Sequence, residues 1–147
     1  MPYAQQFHLR LNLRLAIMKI GFVVGAIALF TAGCAPSIDT STLPKMDVAF
    51  AFDQQHKCEG ISPQIQLGNV PDEAATFDIK MTDLDAPRFK HWQQTLPATI
   101  TIAEGAGTDY FGPCPPSGTH RYTISVLAKD AQEQAIAYGE NTVVTGR

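Results

Sequence analysis

At 147 residues the chain has room for one domain and not comfortably for two. Its formal charge of −3 is unevenly spread: residues 1–33 hold three of the eleven Lys/Arg and none of the fourteen acids, so the other 114 residues carry a net charge of −6. An acidic domain with no basic stripe excludes nucleic acid as the expected partner and argues against electrostatic adhesion to anionic lipid.

The chain begins with a segment that reads as a signal peptide, residues 1–33. The run "IGFVVGAIALFTAGC" is apolar, follows Lys19, and is shorter than a stable bilayer-spanning helix. Its end, "TAGC", resembles a bacterial lipobox with Thr31 where leucine is usual. The resemblance implies cleavage before Cys34 and lipid on its sulfur and new amino terminus, an anchor supplied by acyl chains. The residues alone leave a plain membrane anchor or an uncleaved start open. Met18 opens a complete signal of this kind by itself, so the true start is either Met1 or Met18. The expected location is the bacterial cell envelope. Ala35 and Pro36 after the cysteine, in place of an aspartate, point to the periplasmic face of the outer membrane in a Gram-negative cell. Residues 34–45 comprise the lipidated cysteine and a small, polar, proline-containing tether.

From Met46 to Arg147 a period of two dominates. Met46, Val48, Phe50 and Phe52 alternate with Asp47, Ala49, Ala51 and Asp53. Ala75, Phe77, Ile79 and Met81 alternate with Thr76, Asp78, Lys80 and Thr82, and Tyr122, Ile124 and Val126 form a third stripe beside Leu127. Shorter strands are expected at Gln64–Leu67, Thr99–Ile102, Ala135–Tyr138 and Thr142–Val144, with turns at "GNVPDEA", "AEGAG" and "YGEN". No window carries a convincing helical stripe. Residues 46–147 therefore read as one mostly β domain, a sandwich or closed antiparallel arrangement with few or no helices.

With Cys34 assigned to lipid, Cys58 and Cys114 remain as an even pair in a compartment that permits disulfides. A bridge is expected; two free buried thiols are the alternative. Cys114 has no obvious group beside it to activate a thiolate.

Three motifs carry candidate chemistry. "TDLDAP" ends the Ala75–Thr82 strand, placing Asp83 and Asp85 two apart before Pro87. "KHW" follows with His91, and "GPCPPSGTHRY" brings Gly112, Pro113 and His120. A glycine lets a ligand oxygen approach the main chain, prolines stiffen a loop, and two imidazoles can donate to one oxyanion. An aspartate beside them can orient an imidazole or accept from a ligand hydroxyl or ammonium. The bland alternatives are that both acids cap turn donors and that His91 is an ordinary half-buried histidine. Arg121 is expected to pair with Asp85, and His56, set among polar residues, to be solvated.

"ISPQIQLGNVP", "MTDLDAP", "HW" and "GPCPPSGTHRY", in this order, resemble the phosphatidylethanolamine-binding protein family in its bacterial, Raf-kinase-inhibitor-like branch. The resemblance runs from about Phe50 to Leu127. It implies a large antiparallel sheet packed on a smaller one and a surface pocket that accepts anions such as phosphate or a phosphoethanolamine headgroup. Carried over residue by residue, it implies a ligand-binding set of Asp83, His91, Tyr110, Gly112 and His120, with Pro87 and Pro113 shaping the loops. No cofactor, no metal and no catalysis are expected. The alternatives are a protein-interaction module of the envelope, with an envelope or host protein as partner, and a metal-dependent hydrolase using Asp83, His91 and His120. Two departures stand out. "QQTLPA" after "HW" is polar and one residue short, so that strand is expected to be bulged or exposed, and the C-terminus lacks the helix of larger relatives.

Overall fold

Alternating apolar residues can be buried only if a second layer covers them, and here two antiparallel sheets cover each other. The computed structural model describes residues 38–147. The expected signal peptide at 1–33, the expected lipid site at Cys34 and the first residues of the tether lie outside the described residues. Seven strands follow in chain order: β1 (Asp47–Ala49), β2 (Ile65–Gly68), β3 (Thr76–Asp83), β4 (Trp92–Pro97), β5 (Thr101–Ile102), β6 (Thr119–Lys129) and β7 (Ala135–Gly146). The smaller sheet has the order β1-β2-β5 and the larger β4-β3-β6-β7, every pairing within them antiparallel. The described residues contain no α-helix, only short 3-10 turns at Thr40–Thr42 and Gln54–His56. The mostly β, two-sheet expectation therefore holds.

One core fills the space between the sheets. Met46, Val48, Ile65, Leu67 and Ile102 on the smaller-sheet side meet Phe77, Ile79, Met81, Trp92, Tyr122, Ile124 and Val126 of the larger sheet. The period-two stripes of β3 and β6 are continuous through this core. On β3, Phe77, Ile79, Met81 and then Asp83 are buried; on β6, Tyr122, Ile124, Val126 and Ala128 are buried. The pattern that buries the hydrophobes thus also carries Asp83 inward at the end of its strand.

Several boundaries differ from the sequence reading. β1 stops at Ala49 although Phe50 and Phe52 continue the alternation; both pack against the core from a loop, and Asp53 caps the turn Gln54–His56. Of the two alternatives for β4, exposure holds and a bulge does not. The strand pairs residue for residue with β3 and is the sheet's edge, which accounts for its polar residues. The one register shift in the larger sheet falls at Ala128/Lys129. "YGEN" is not a turn but the middle of β7. Gly139 there has the Met46 carbonyl 2.5 Å from where a Cβ would stand, so the residue serves close packing. The neighbouring Met46 N–H donates to the Tyr138 carbonyl at 2.9 Å, which lays residues 44–46 along β7.

Candidate functional site

Three strand ends converge at one end of the larger sheet: the C-terminus of β3 and the N-termini of β4 and β6. They bring Asp83, His91 and His120 together. Asp83 is 3% exposed and His91 4%; the His120 side chain, at 21%, is the most accessible of the three.

The Asp83 carboxylate is held from two directions. Its Oδ1 accepts the N–H of Asp85 at 2.8 Å and that of Ala86 at 3.0 Å, the tight turn that ends β3. Its Oδ2 accepts from His120 Nδ1 at 2.7 Å and lies 3.8 Å from His91 Nε2. Burial pushes this carboxyl up, but the hydrogen bonds from His120, Asp85 and Ala86 outweigh it and hold it below the ordinary carboxylate range. Asp83 is therefore ionised at neutral pH.

An ionised carboxylate only accepts, so His120 carries a proton on Nδ1. His91 Nδ1 donates to the Phe111 carbonyl at 2.7 Å, which assigns its proton in the same way. Both imidazoles are thereby oriented through Nδ1, and Nε2 is the position of each that can change partner or gain a proton. Phe89 lies on His91 with ring centroids 4.6 Å apart, and His120 stacks on Tyr122 at 6.2 Å.

Tyr122 is the residue that sequence reading missed as part of the site. It follows His120 by two, so the period that buries Ile124 also puts Tyr122 and His120 on one face, a signal present in the sequence. It stands directly opposite Asp83 in the β3–β6 register and is fully buried. Its hydroxyl makes no hydrogen bond of full geometry among the described residues, although the Asp83 carboxylate and the Cys114 backbone stand close enough to act on it. Burial, with the Asp83 charge beside it, pushes the phenol up to about 12, so it stays a neutral donor.

The remaining expected site residues serve the wall. Gly112 is buried, and its N–H donates to the Cys58 carbonyl at 2.7 Å. A Cβ on it would lie 1.8 Å from the His56 carbonyl oxygen. That packing by itself requires glycine at this position. The Tyr110 hydroxyl donates to the same His56 carbonyl at 2.8 Å, and its ring meets Trp92 edge-on. Tyr110 thus props the lip from behind. Pro113 is fully buried, whereas Pro87 is exposed in the turn after β3. Cys58 and Cys114 are joined by the expected disulfide, and Cys58 N–H donates to the Pro113 carbonyl at 3.2 Å.

Asp85 and Arg121 form the expected pair outside the pocket. Arg121 donates to both carboxylate oxygens, through Nη2 at 2.9 Å and Nε at 3.3 Å, and through its backbone N–H at 2.8 Å. These bonds draw the Asp85 carboxyl down to about 2. His56, expected in solvent, is 3% exposed instead. Its Nδ1 accepts the Asp53 N–H at 2.8 Å and its Nε2 donates to Glu104 at 2.7 Å, which is how a polar ring is accommodated beneath Gly112.

Fold and site together define a β-sandwich protein with a buried carboxylate–imidazole cluster at one end of its larger sheet. A family model described as "Phosphatidylethanolamine-binding protein" matches residues 37–145. The chain belongs to this family of small-ligand-binding proteins. Among curated relatives it is similar to proteins named "UPF0098 protein". One, from Methanothermobacter thermautotrophicus, is 32% identical over 100 residues, 52% of this chain and 66% of the relative. Another, from Chlamydia pneumoniae, is 33% identical over 109 residues, 56% of this chain and 73% of the relative. A third, from Archaeoglobus fulgidus, is 27% identical over 139 residues, 74% of this chain and 47% of the relative. The chain thus spans less than two thirds of the Methanothermobacter and Archaeoglobus relatives.

Proposed function

We propose that the protein binds a small phosphate-class anion or phospholipid headgroup, such as phosphate or phosphoethanolamine, at Asp83, His91, His120 and Tyr122, and releases it unchanged. The observation that carries this reading is the pair of imidazoles fixed through Nδ1 around one buried carboxylate. With both Nε2 atoms protonated, the three groups sum to a single positive charge and offer two donors to an oxyanion. With both deprotonated, Asp83 repels it. A zwitterionic headgroup adds an ammonium that Asp83 can accept from.

Two features favour binding over turnover. Both cysteines of the domain are in the disulfide, so neither supplies a thiolate. Asp83 already accepts three hydrogen bonds, which ties up most of the lone pairs that a metal or a reacting proton would need. In this reading lipid on Cys34 holds the domain at the cell envelope, and labelling with a clickable fatty acid, lost in Cys34→Ser, checks that part.

Calorimetric titration of phosphoethanolamine, followed by phosphorus NMR of the mixture, tests the core claim. Saturable one-site binding with the ligand recovered intact is expected. Hydrolysis, or no binding to the wild-type protein, contradicts it.

A further inference from the structure

The outer face of the larger sheet holds a groove of about 1040 Å³ that shares His91 with the pocket. It is lined by Lys80 from β3 and by Arg88, Phe89 and Lys90 from the β3–β4 connection. These cations differ from the others in the sheet. Lys129, also in the groove, is neutralised by Asp78 and Glu133, and Arg121 by Asp85. Lys80, Arg88 and Lys90 have no acidic partner among the described residues. Asp78 and Asp109 are the acids in the groove wall, against four bases. This is a local positive excess in a domain of net charge −6.

The connection is built to present these side chains. Pro87 ends the extension of β3, and the Phe89 N–H closes a turn on the Ala86 carbonyl at 2.9 Å. Only Arg88, Phe89 and Lys90 then separate Pro87 from His91, so each lies within three residues of the pocket histidine. The Phe89 ring covers His91 on one side and is 49% exposed on the other. Concave surfaces focus potential, so unpaired cations there act on a bound anion more strongly than they would on a convex face.

We propose that Lys80, Arg88 and Lys90 form a second, cationic subsite contiguous with His91, and that the ligand class is a phosphate bearing a further negative group. This rests on the pocket reading above and narrows it. Phosphoserine and phosphoethanolamine make the minimal comparison, since they differ by one carboxylate. The same chemistry occurs in the free phosphoamino acid and in a lipid headgroup. In the second case the exposed Phe89 ring meets the glycerol and acyl portion.

The test titrates the full chain with inorganic phosphate, phosphoethanolamine, phosphoserine and monomeric dihexanoyl phosphatidylserine, following the assigned His91 and His120 resonances. Phosphoserine is expected to bind about fivefold to tenfold tighter than phosphoethanolamine, the scale of two or three partly exposed ion pairs. The preference should shrink with added salt. The triple variant Lys80→Gln, Arg88→Gln, Lys90→Gln should lose the preference and keep the response to inorganic phosphate. Tighter binding of the short-chain lipid than of phosphoserine, reduced in Phe89→Ser, assigns the source to lipid; equal binding assigns it to the free compound. Equal affinity for phosphoserine and phosphoethanolamine, or a preference that survives in the triple variant, overturns the subsite and leaves the pocket standing. A wild-type protein whose histidines ignore inorganic phosphate overturns both.

Discussion

Asp83 and Tyr122 are direct partners across β3 and β6, a buried carboxylate facing a buried phenol whose hydroxyl makes no hydrogen bond of full geometry among the described residues. A buried hydroxyl short of a full hydrogen bond opposes folding, and a core position next to a charge is a costly place to keep one. Its placement makes sense if the hydroxyl donates to something that enters the pocket.

Tyr122→Phe therefore separates stability from binding. Removing the hydroxyl, which makes no hydrogen bond of full geometry, should change the urea midpoint little. Phosphate affinity should fall about tenfold, the scale of one hydrogen bond to a charged group. Equal affinity in the two proteins would mean that the hydroxyl has no ligand role.

Gly112→Ala should be strongly destabilising. The added methyl falls 1.8 Å from the His56 carbonyl oxygen, and the obstacle is backbone rather than a flexible side chain. A loss of about 3 kcal/mol or more is expected, together with disruption of the lip that holds the Phe111 carbonyl. Equilibrium urea denaturation measures the first and the His91 resonance reports the second.

β3 and β6 are readable from the sequence because their stripes are long and strictly alternating, whereas β7 reads as two short strands because "YGEN" carries turn residues. Phe77, Ile79 and Met81 predict the burial of Asp83 by continuation, and Ile124 and Val126 predict that of Tyr122. The smaller sheet was less readable, since Phe50 and Phe52 keep the alternation without a partner strand and reach the core from a loop. A packing constraint on Gly112 was not legible, because a glycine beside prolines suggests ligand access first. That constraint is the His56 carbonyl, 56 residues earlier in the chain, which no local pattern announces. His56 was misread for the same reason: its partner Glu104 lies 48 residues away.

Acid should weaken the fold in a defined window. Asp83 and Asp85 both have folded-state pKa values below the ordinary 3.8, Asp85 at about 2. A depressed carboxyl stabilises the fold above its unfolded value, and that contribution is lost as pH falls through the folded value. The urea midpoint should thus fall between about pH 4 and about pH 2 and be flat just above that range. Asp85→Asn should be less stable than wild type at neutral pH and converge with it toward about pH 2. Parallel curves for the two proteins would contradict the assignment.

Cys58 and Cys114 lie 56 residues apart, and their bridge joins the segment that receives the Gly112 N–H to the lip itself. Reduction, or the paired change to serine, should cost about 2–4 kcal/mol. It should also lower phosphate affinity, because the Phe111 carbonyl that orients His91 is next to Gly112. Denaturation with and without reductant measures the first effect, and titration of the serine pair the second. Unchanged affinity would show that the lip holds its shape without the bridge.

The most direct test of the account follows His91 and His120 by NMR while phosphate is titrated into the full chain. Both imidazoles should shift together as phosphate is added, with one dissociation constant. Histidine resonances that stay unmoved at saturating phosphate, or that follow two different dissociation constants, would contradict the claim that these two rings and Asp83 form an anion site.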